Sequence, residues 1–188
     1  FWSKWYKKKE SVILATHENN CSCNHENKDK ILFVSSSWMD SKEKISDQVD
    51  KIINFLKKKM NEFPNIKEFH IKHHPMENEQ TIKIINDLFL DKISQTVMLK
   101  FIDKEQSLNE IACDYQISYG MMSSALNDLK NACNKTKVYC LKSINVDEFG
   151  DDYFLKLFNE DIIFYDVVQN QIDINVTQYD KYIKSVKS

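Results

Sequence analysis

The run Ile31-Leu32-Phe33-Val34 is apolar without alternation and is framed by Lys30 and Ser35, which predicts a short strand buried on both faces. A helix follows over residues 46–60, where Val49, Ile52, Ile53, Leu56 and Met60 recur at spacings of three and four. Lys51, Lys57, Lys58 and Lys59 are expected on its remaining surface, and Pro64 closes the unit. Residues 68–72 read as a second strand that runs into His73-His74-Pro75, and Ile82, Ile84, Ile85, Leu88 and Phe89 mark a helix over about 78–89. The pattern continues with a strand at 97–102, a short helix at 107–113, a strand at 116–119, a helix from 124 to about 133, and strands at 137–141 and 161–165. Before all of this, residues 11–15 form a short strand candidate and residues 16–30 a polar loop.

Strands alternating with helices at short spacing predict right-handed βαβ crossovers, hence an α/β, Rossmann-like parallel sheet with helices on both faces. One domain is expected over residues 30–188, preceded by a connecting segment and loop over residues 1–29. Open parallel sheets bind ligands beyond the carboxyl ends of their strands. That rule directs attention to Ser35 to Asp40, Lys72 to Pro75, Asp103, and Gly120 to Ser124.

Composition removes several functions. Gly120 and Gly150 are the two glycines of the chain, too few for a three-glycine dinucleotide turn or a P-loop. There are 26 basic residues, all lysine, against 28 acidic ones, giving a net charge of −2. That balance argues against nucleic acid as a partner, and without arginine any anion must be held by Lys, His, hydroxyls and backbone N–H groups. No apolar run approaches the roughly 20 residues of a membrane-spanning helix, and no signal peptide opens the chain, so a soluble, cytoplasmic protein is expected. Three of the five cysteines, Cys113, Cys133 and Cys140, fall in stretches that read as core, which predicts free thiols in a reducing compartment. The lysine runs Lys7-Lys8-Lys9 and Lys57-Lys58-Lys59 are read as solvated faces, with weak peripheral attraction to anionic lipid or an acidic glycan as the minority reading.

Two segments carry candidate chemistry. In Lys72-His73-His74-Pro75 the proline disfavours the helical region for His74, so the imidazole is held after a buried strand, able to donate to a phosphate or protonate a leaving oxygen. The competing reading is a turn with solvent-facing histidines. In Tyr119-Gly120-Met121-Met122-Ser123-Ser124-Ala125-Leu126 a strand reaches a glycine and two serines open a helix, whose first N–H groups and dipole favour an anion. There the competing reading is a serine that merely caps the helix. Cys21-Ser22-Cys23-Asn24-His25 and His17 have metal-ligand residue types without metal-site spacing, so no metal is expected.

Together, a Lys-x-His-Pro strand end and a Gly-x-x-Ser-Ser-Ala-Leu turn about 50 residues later resemble the carboxyl-terminal, donor-binding half of bacterial GT-B sialyltransferases and polysialyltransferases. The resemblance covers about residues 30–166 and implies one lobe of a GT-B architecture. It implies a metal-independent enzyme that uses CMP-sialic acid as a donor substrate, with no further cofactor, to build a cell-surface glycan such as capsule or lipooligosaccharide. Lys72, His74, Pro75, Gly120, Ser123 and Ser124 would bind CMP, and His74 would act on the departing phosphate. The family's acidic Asp/Glu-Asp/Glu-Gly motif, which supplies the catalytic base, does not occur in this chain. Asp40 is the local substitute, or the base belongs to an amino-terminal domain upstream, as the abrupt opening of the chain suggests. A glycerophosphotransferase of capsule or teichoic-acid assembly, using a CDP-linked donor, is the alternative within the enzymes. A non-catalytic module that binds a nucleotide or a partner protein is the alternative outside them.

Overall fold

A computed structural model of the chain describes residues 29–36, 42–93, 97–121, 123–142, 161–166 and 171–175. The elements in order are β1 (Lys30–Val34), α1 (Lys42–Glu62), β2 (Glu68–Lys72), α2 (Glu79–Lys92), β3 (Met98–Ile102) and α3 (Leu108–Ile111), which continues into a 3₁₀ turn over Ala112–Asp114. They are followed by β4 (Ile117–Met121), α4 (Ala125–Ala132), β5 (Lys137–Lys142), β6 (Ile163–Asp166) and β7 (Gln171–Asn175). The candidate strand at residues 11–15, the cysteine-bearing loop, Lys7 to Lys9 and Asp40 lie outside the described residues.

The strands form a single sheet in the order β3-β2-β1-β4-β5-β6-β7. The first six strands of the chain pair in parallel, and β7 adds antiparallel to β6. This is the α/β, Rossmann-like arrangement that the alternating pattern predicts, extended by one strand that the pattern did not announce. The chain steps outward from β1 to β2 to β3, then returns past β1 to β4. Right-handed crossovers require the helices of these two excursions to lie on opposite faces, and they do.

Period-two alternation sorts the side chains between the faces. Ile31 and Phe33 of β1 join Phe69, Ile71, Tyr119 and Tyr139 beneath α1 and α2, whose Val49, Ile52, Leu56, Ile85 and Phe89 complete that core. Leu32 and Val34 face the other way, against Ile111 and Ala112 of the α3 region and Leu126, Leu129 and Cys133 of α4. The uninterrupted apolar sequence of β1 is therefore the consequence of a central strand covered twice. β3, at the edge, has no fully buried residue and leaves Met98 and Phe101 accessible.

Two expectations are corrected. Lys59 is fully buried, not on the surface of α1: its ammonium lies 4.3 Å from the centroid of Tyr139 and 2.9 Å from Glu62 Oε2. The apolar stripe of α1 simply continues one turn past Phe55 and Leu56, and aromatic faces with a carboxylate replace the water that the cation loses. With Lys58 Nζ also drawn to the Tyr165 hydroxyl at 3.2 Å, residues 57–59 do not form a common basic patch. The second correction concerns the thiols. Cys133 and Cys140 are buried thiols in the core, whereas Cys113, half-buried in the turn between α3 and β4, is disulfide-bonded. Among the described residues no helix is long and apolar enough to cross a membrane.

Candidate functional site

β1 lies between β2 and β4, so the reversal of strand order falls at the carboxyl end of β1. The backbone there is tightly drawn together. Val34 pairs with both Lys72 of β2 and Gly120 of β4, and the Ser35 N–H extends the ladder by donating to Lys72 O at 2.9 Å. A Cβ on Gly120 would stand 2.6 Å from Val34 O. Glycine is thus required at this position by the closeness of β1, and Gly120 acts as a spacer that lets the two strand ends meet.

The β2 end holds His73, His74 and Pro75. His73 is buried, with Nδ1 3.2 Å from Glu77 Oε2 and Nε2 2.7 Å from Asn86 Oδ1 of α2. His74 is half-buried, and its Nδ1 accepts from the Met76 N–H at 3.2 Å. That contact fixes the tautomer: a neutral ring whose Nδ1 accepts must carry its proton on Nε2. His74 Nε2 has no protein partner among the described residues, which leaves it as an N–H donor for a ligand. Pro75 is exposed beside it.

Lys72, expected at the ligand, is placed elsewhere. Its ammonium is buried on the opposite face of the sheet and donates to the carbonyls of Asp103 and Lys104 at 3.0 and 2.9 Å. Desolvation pushes its pKa below the ordinary lysine value, against the opposing pull of Asp103 and Glu105. The side chain at position 72 follows the period of the strand, on the face opposite Ile71, and reaches the turn after β3.

The β4 end leads through Ser123 and Ser124 into α4. Ser123 Oγ accepts the Ala125 N–H at 3.3 Å, Ser123 O accepts the Leu126 N–H at 3.1 Å, and Ser124 O accepts the Asn127 N–H at 2.9 Å. The first amides of α4 are therefore already satisfied by the two serines, contrary to the expectation that they would be available to an anion. Asp128 adds a carboxylate to the same turn. Ser123 is the residue that caps. The exposed Ser124 side chain makes no capping bond and has no protein partner among the described residues, so its hydroxyl remains available. The strands carrying His74 and Ser124 are two places apart in the sheet, a separation of about 10 Å.

Glu77 is the functional-site residue that sequence reasoning missed. Its carboxylate is buried and accepts from the Ser35 hydroxyl at 2.9 Å, from His73 Nδ1 and from the His74 N–H at 3.0 Å, joining the ends of β1 and β2. A carboxylate three residues after a histidine in a Pro-containing turn is the local signal that could have found it. Its contact with Ser35 spans 42 positions and left no trace in the sequence. Among the described residues no group of three or more His, Cys, Asp or Glu side chains is arranged to hold a metal ion.

No protein-family model matches the chain, and no curated protein matches it by sequence. What the sheet order and the two strand ends establish is a Rossmann-like α/β lobe with its reversal point between a histidine-bearing turn and a serine-opened helix.

Proposed function

We propose that this chain binds the phosphate of a nucleotide at the carboxyl end of its sheet, as the donor-binding lobe of a glycosyltransferase that uses a CMP-activated sugar of the sialic-acid type. The observation that carries the reading is His74: an imidazole of fixed tautomer, with an unpartnered Nε2–H, beside the reversal point of a parallel sheet. The Lys-x-His-Pro and Ser-Ser-Ala-Leu spacings that resemble the sialyltransferase family support the choice of donor.

In such a transfer the sugar becomes oxocarbenium-like while negative charge grows on the phosphate that leaves with CMP. Stabilising that phosphate is the task assigned to this lobe. His74 Nε2–H donates to a phosphate oxygen, or passes its proton to it, and the Ser124 hydroxyl donates to the same nucleotide from the β4 end, about 10 Å of strand spacing away. Gly120 keeps β1 and β4 close enough for one ligand to reach both ends. Lys72 and the α4 amides take no part, because their hydrogen bonds are already committed within the protein. Acceptance of the proton from the incoming glycan hydroxyl falls to a carboxylate outside this set, Asp40 or a residue of an accompanying domain.

Calorimetric titration of the protein with CMP, UMP and GMP tests the reading, with His74→Ala and Ser124→Ala alongside. Binding of CMP in preference to the other two, weakened about tenfold or more by His74→Ala, is the expected result. Folded protein that binds none of the three nucleotides refutes it.

A further inference from the structure

The end of β2 is held by one buried carboxylate, and its contacts form closed rings around His74. The Glu77 N–H donates to His74 O at 3.0 Å while Glu77 Oε2 accepts from the His74 N–H at 3.0 Å, so the main chain of His74 is gripped on both its donor and its acceptor. Between them Met76 offers its N–H to His74 Nδ1 at 3.2 Å, the contact that sets the ring's tautomer. The other carboxylate oxygen accepts from Ser35 Oγ at 2.9 Å, and Ser35 is itself buried at the end of β1. His73, wedged between Glu77 and Asn86, fastens the same carboxylate to α2.

From this geometry we infer that Glu77 is the positioning residue of His74, the group that aims its ring and fixes its position relative to β1. The inference rests on the nucleotide reading for its ligand and on the structure alone for its geometry. A buried carboxylate is costly to desolvate, and a structural turn in this place needs none, since a neutral amide or the backbone can close it. Three donors from two segments, the ends of β1 and β2, converge on Glu77, and the group they leave fixed is, among the described residues, the one imidazole nitrogen with nothing else to bind. Glu77 touches no ligand in this role. It acts through His74, by keeping Met76 N–H on Nδ1 and hence the proton on Nε2.

The test uses Glu77→Gln, which preserves size and removes the charge, with two readouts. The first is the ¹⁵N shift separation between Nδ1 and Nε2 of His74 at about pH 8.5, above the range in which ordinary histidines titrate; the separation is widest for a single tautomer. The second is the affinity for CMP. In folded Glu77→Gln the separation is expected to narrow and CMP affinity to fall about tenfold. Folded variant with the wild-type separation, or with a narrowed separation and undiminished CMP affinity, overturns the inference. Should the wild type itself bind no CMP, the nucleotide reading fails and the ring separation alone decides the role of Glu77. If Glu77→Gln does not fold, Ser35→Ala takes its place: releasing one of the donors narrows the separation and weakens CMP about threefold, and an unchanged ring overturns the inference.

Discussion

β2 carries a histidine–carboxylate cluster at each of its ends, and the two are built for different purposes. Toward the amino end, His70 is buried with both ring nitrogens occupied: Nδ1 lies 2.9 Å from the Tyr115 hydroxyl and Nε2 2.7 Å from Glu68 Oε2. Glu68 is closed in turn by Lys100 at 2.7 Å. At the carboxyl end the same residue types are arranged around Glu77, yet His74 Nε2 is left without a protein partner among the described residues. A histidine network that satisfies every nitrogen stabilises the fold. One that fixes a ring and leaves a donor open is what the proposed phosphate site requires. Position agrees with this reading, since ligands of parallel sheets bind at the carboxyl ends of strands.

The largest effect is expected from closing the gap that the carboxyl-end cluster depends on. Gly120→Ala places a Cβ against the backbone carbonyl of Val34, which cannot rotate away as a side chain would. β1 and β4 must separate, at a cost of about 3 kcal/mol measured by denaturant unfolding. Nucleotide binding should be lost at the same time, while the Glu68–His70–Lys100 cluster, two and three strands away from β4 and at the other end, keeps its contacts.

Acidification should loosen the amino-end cluster. Hydrogen bonds from Lys100 and then His70 hold the Glu68 carboxyl down at about 2, against an ordinary value of 4.5. Desolvation pushes His70 below its ordinary 6.5, outweighing the opposing influence of Glu68. Both groups are easier to protonate in the unfolded chain, so both make stability rise with pH. The His70 contribution is present above about pH 6.5 and fades below it. The Glu68 contribution is complete above about pH 4.5 and is lost as pH falls toward 2. Glu68→Gln should abolish the second loss and leave the first; with solvent screening at Glu68, the difference amounts to about 1 kcal/mol at pH 7. An unfolding series in which Glu68→Gln tracks the wild type down to pH 2 would contradict the network.

Two tyrosines sharpen the contrast between satisfied and unsatisfied polar groups. Tyr115→Phe removes the partner of His70 Nδ1 and should cost about 1 kcal/mol. The Tyr119 hydroxyl is buried with no hydrogen-bond partner among the described residues, and burial pushes its pKa well above the ordinary value. Tyr119→Phe should therefore be neutral or stabilise by up to about 1 kcal/mol, as chemical denaturation would reveal.

Legibility in the sequence followed the range of the interactions. Ile31-Leu32-Phe33-Val34 announced a central strand because burial on both faces leaves no polar position, and the short spacings between runs announced the crossovers. β7 went unread because Gln171–Asn175 offers only Ile172 and Ile174 as apolar positions, the pattern of an edge strand that is half polar. The positions of His74, Gly120 and the serines at or just past strand ends were legible from the apolar runs before them. The bonds of the Lys72 ammonium to the carbonyls of Asp103 and Lys104 were not legible, because they join segments about 30 residues apart. Glu77 and Lys59 escaped because a charged residue is ordinarily exposed, and only contacts with distant segments reveal the exceptions.

The smallest stability effect should be the most informative about the serine pair. Ser123→Ala removes the oxygen that accepts the Ala125 N–H and should cost about 1 kcal/mol, the usual value of a helix cap. Ser124→Ala removes a hydroxyl that caps nothing, so thermal unfolding should match the wild type to within a few tenths of a kcal/mol. If Ser124 is part of the phosphate site, that same variant binds CMP more weakly by about fivefold, whereas Ser123→Ala loses affinity only as far as α4 frays. The reverse outcome, with Ser124→Ala less stable and unimpaired in binding, would make the second serine the cap and leave His74 as the site's sole donor.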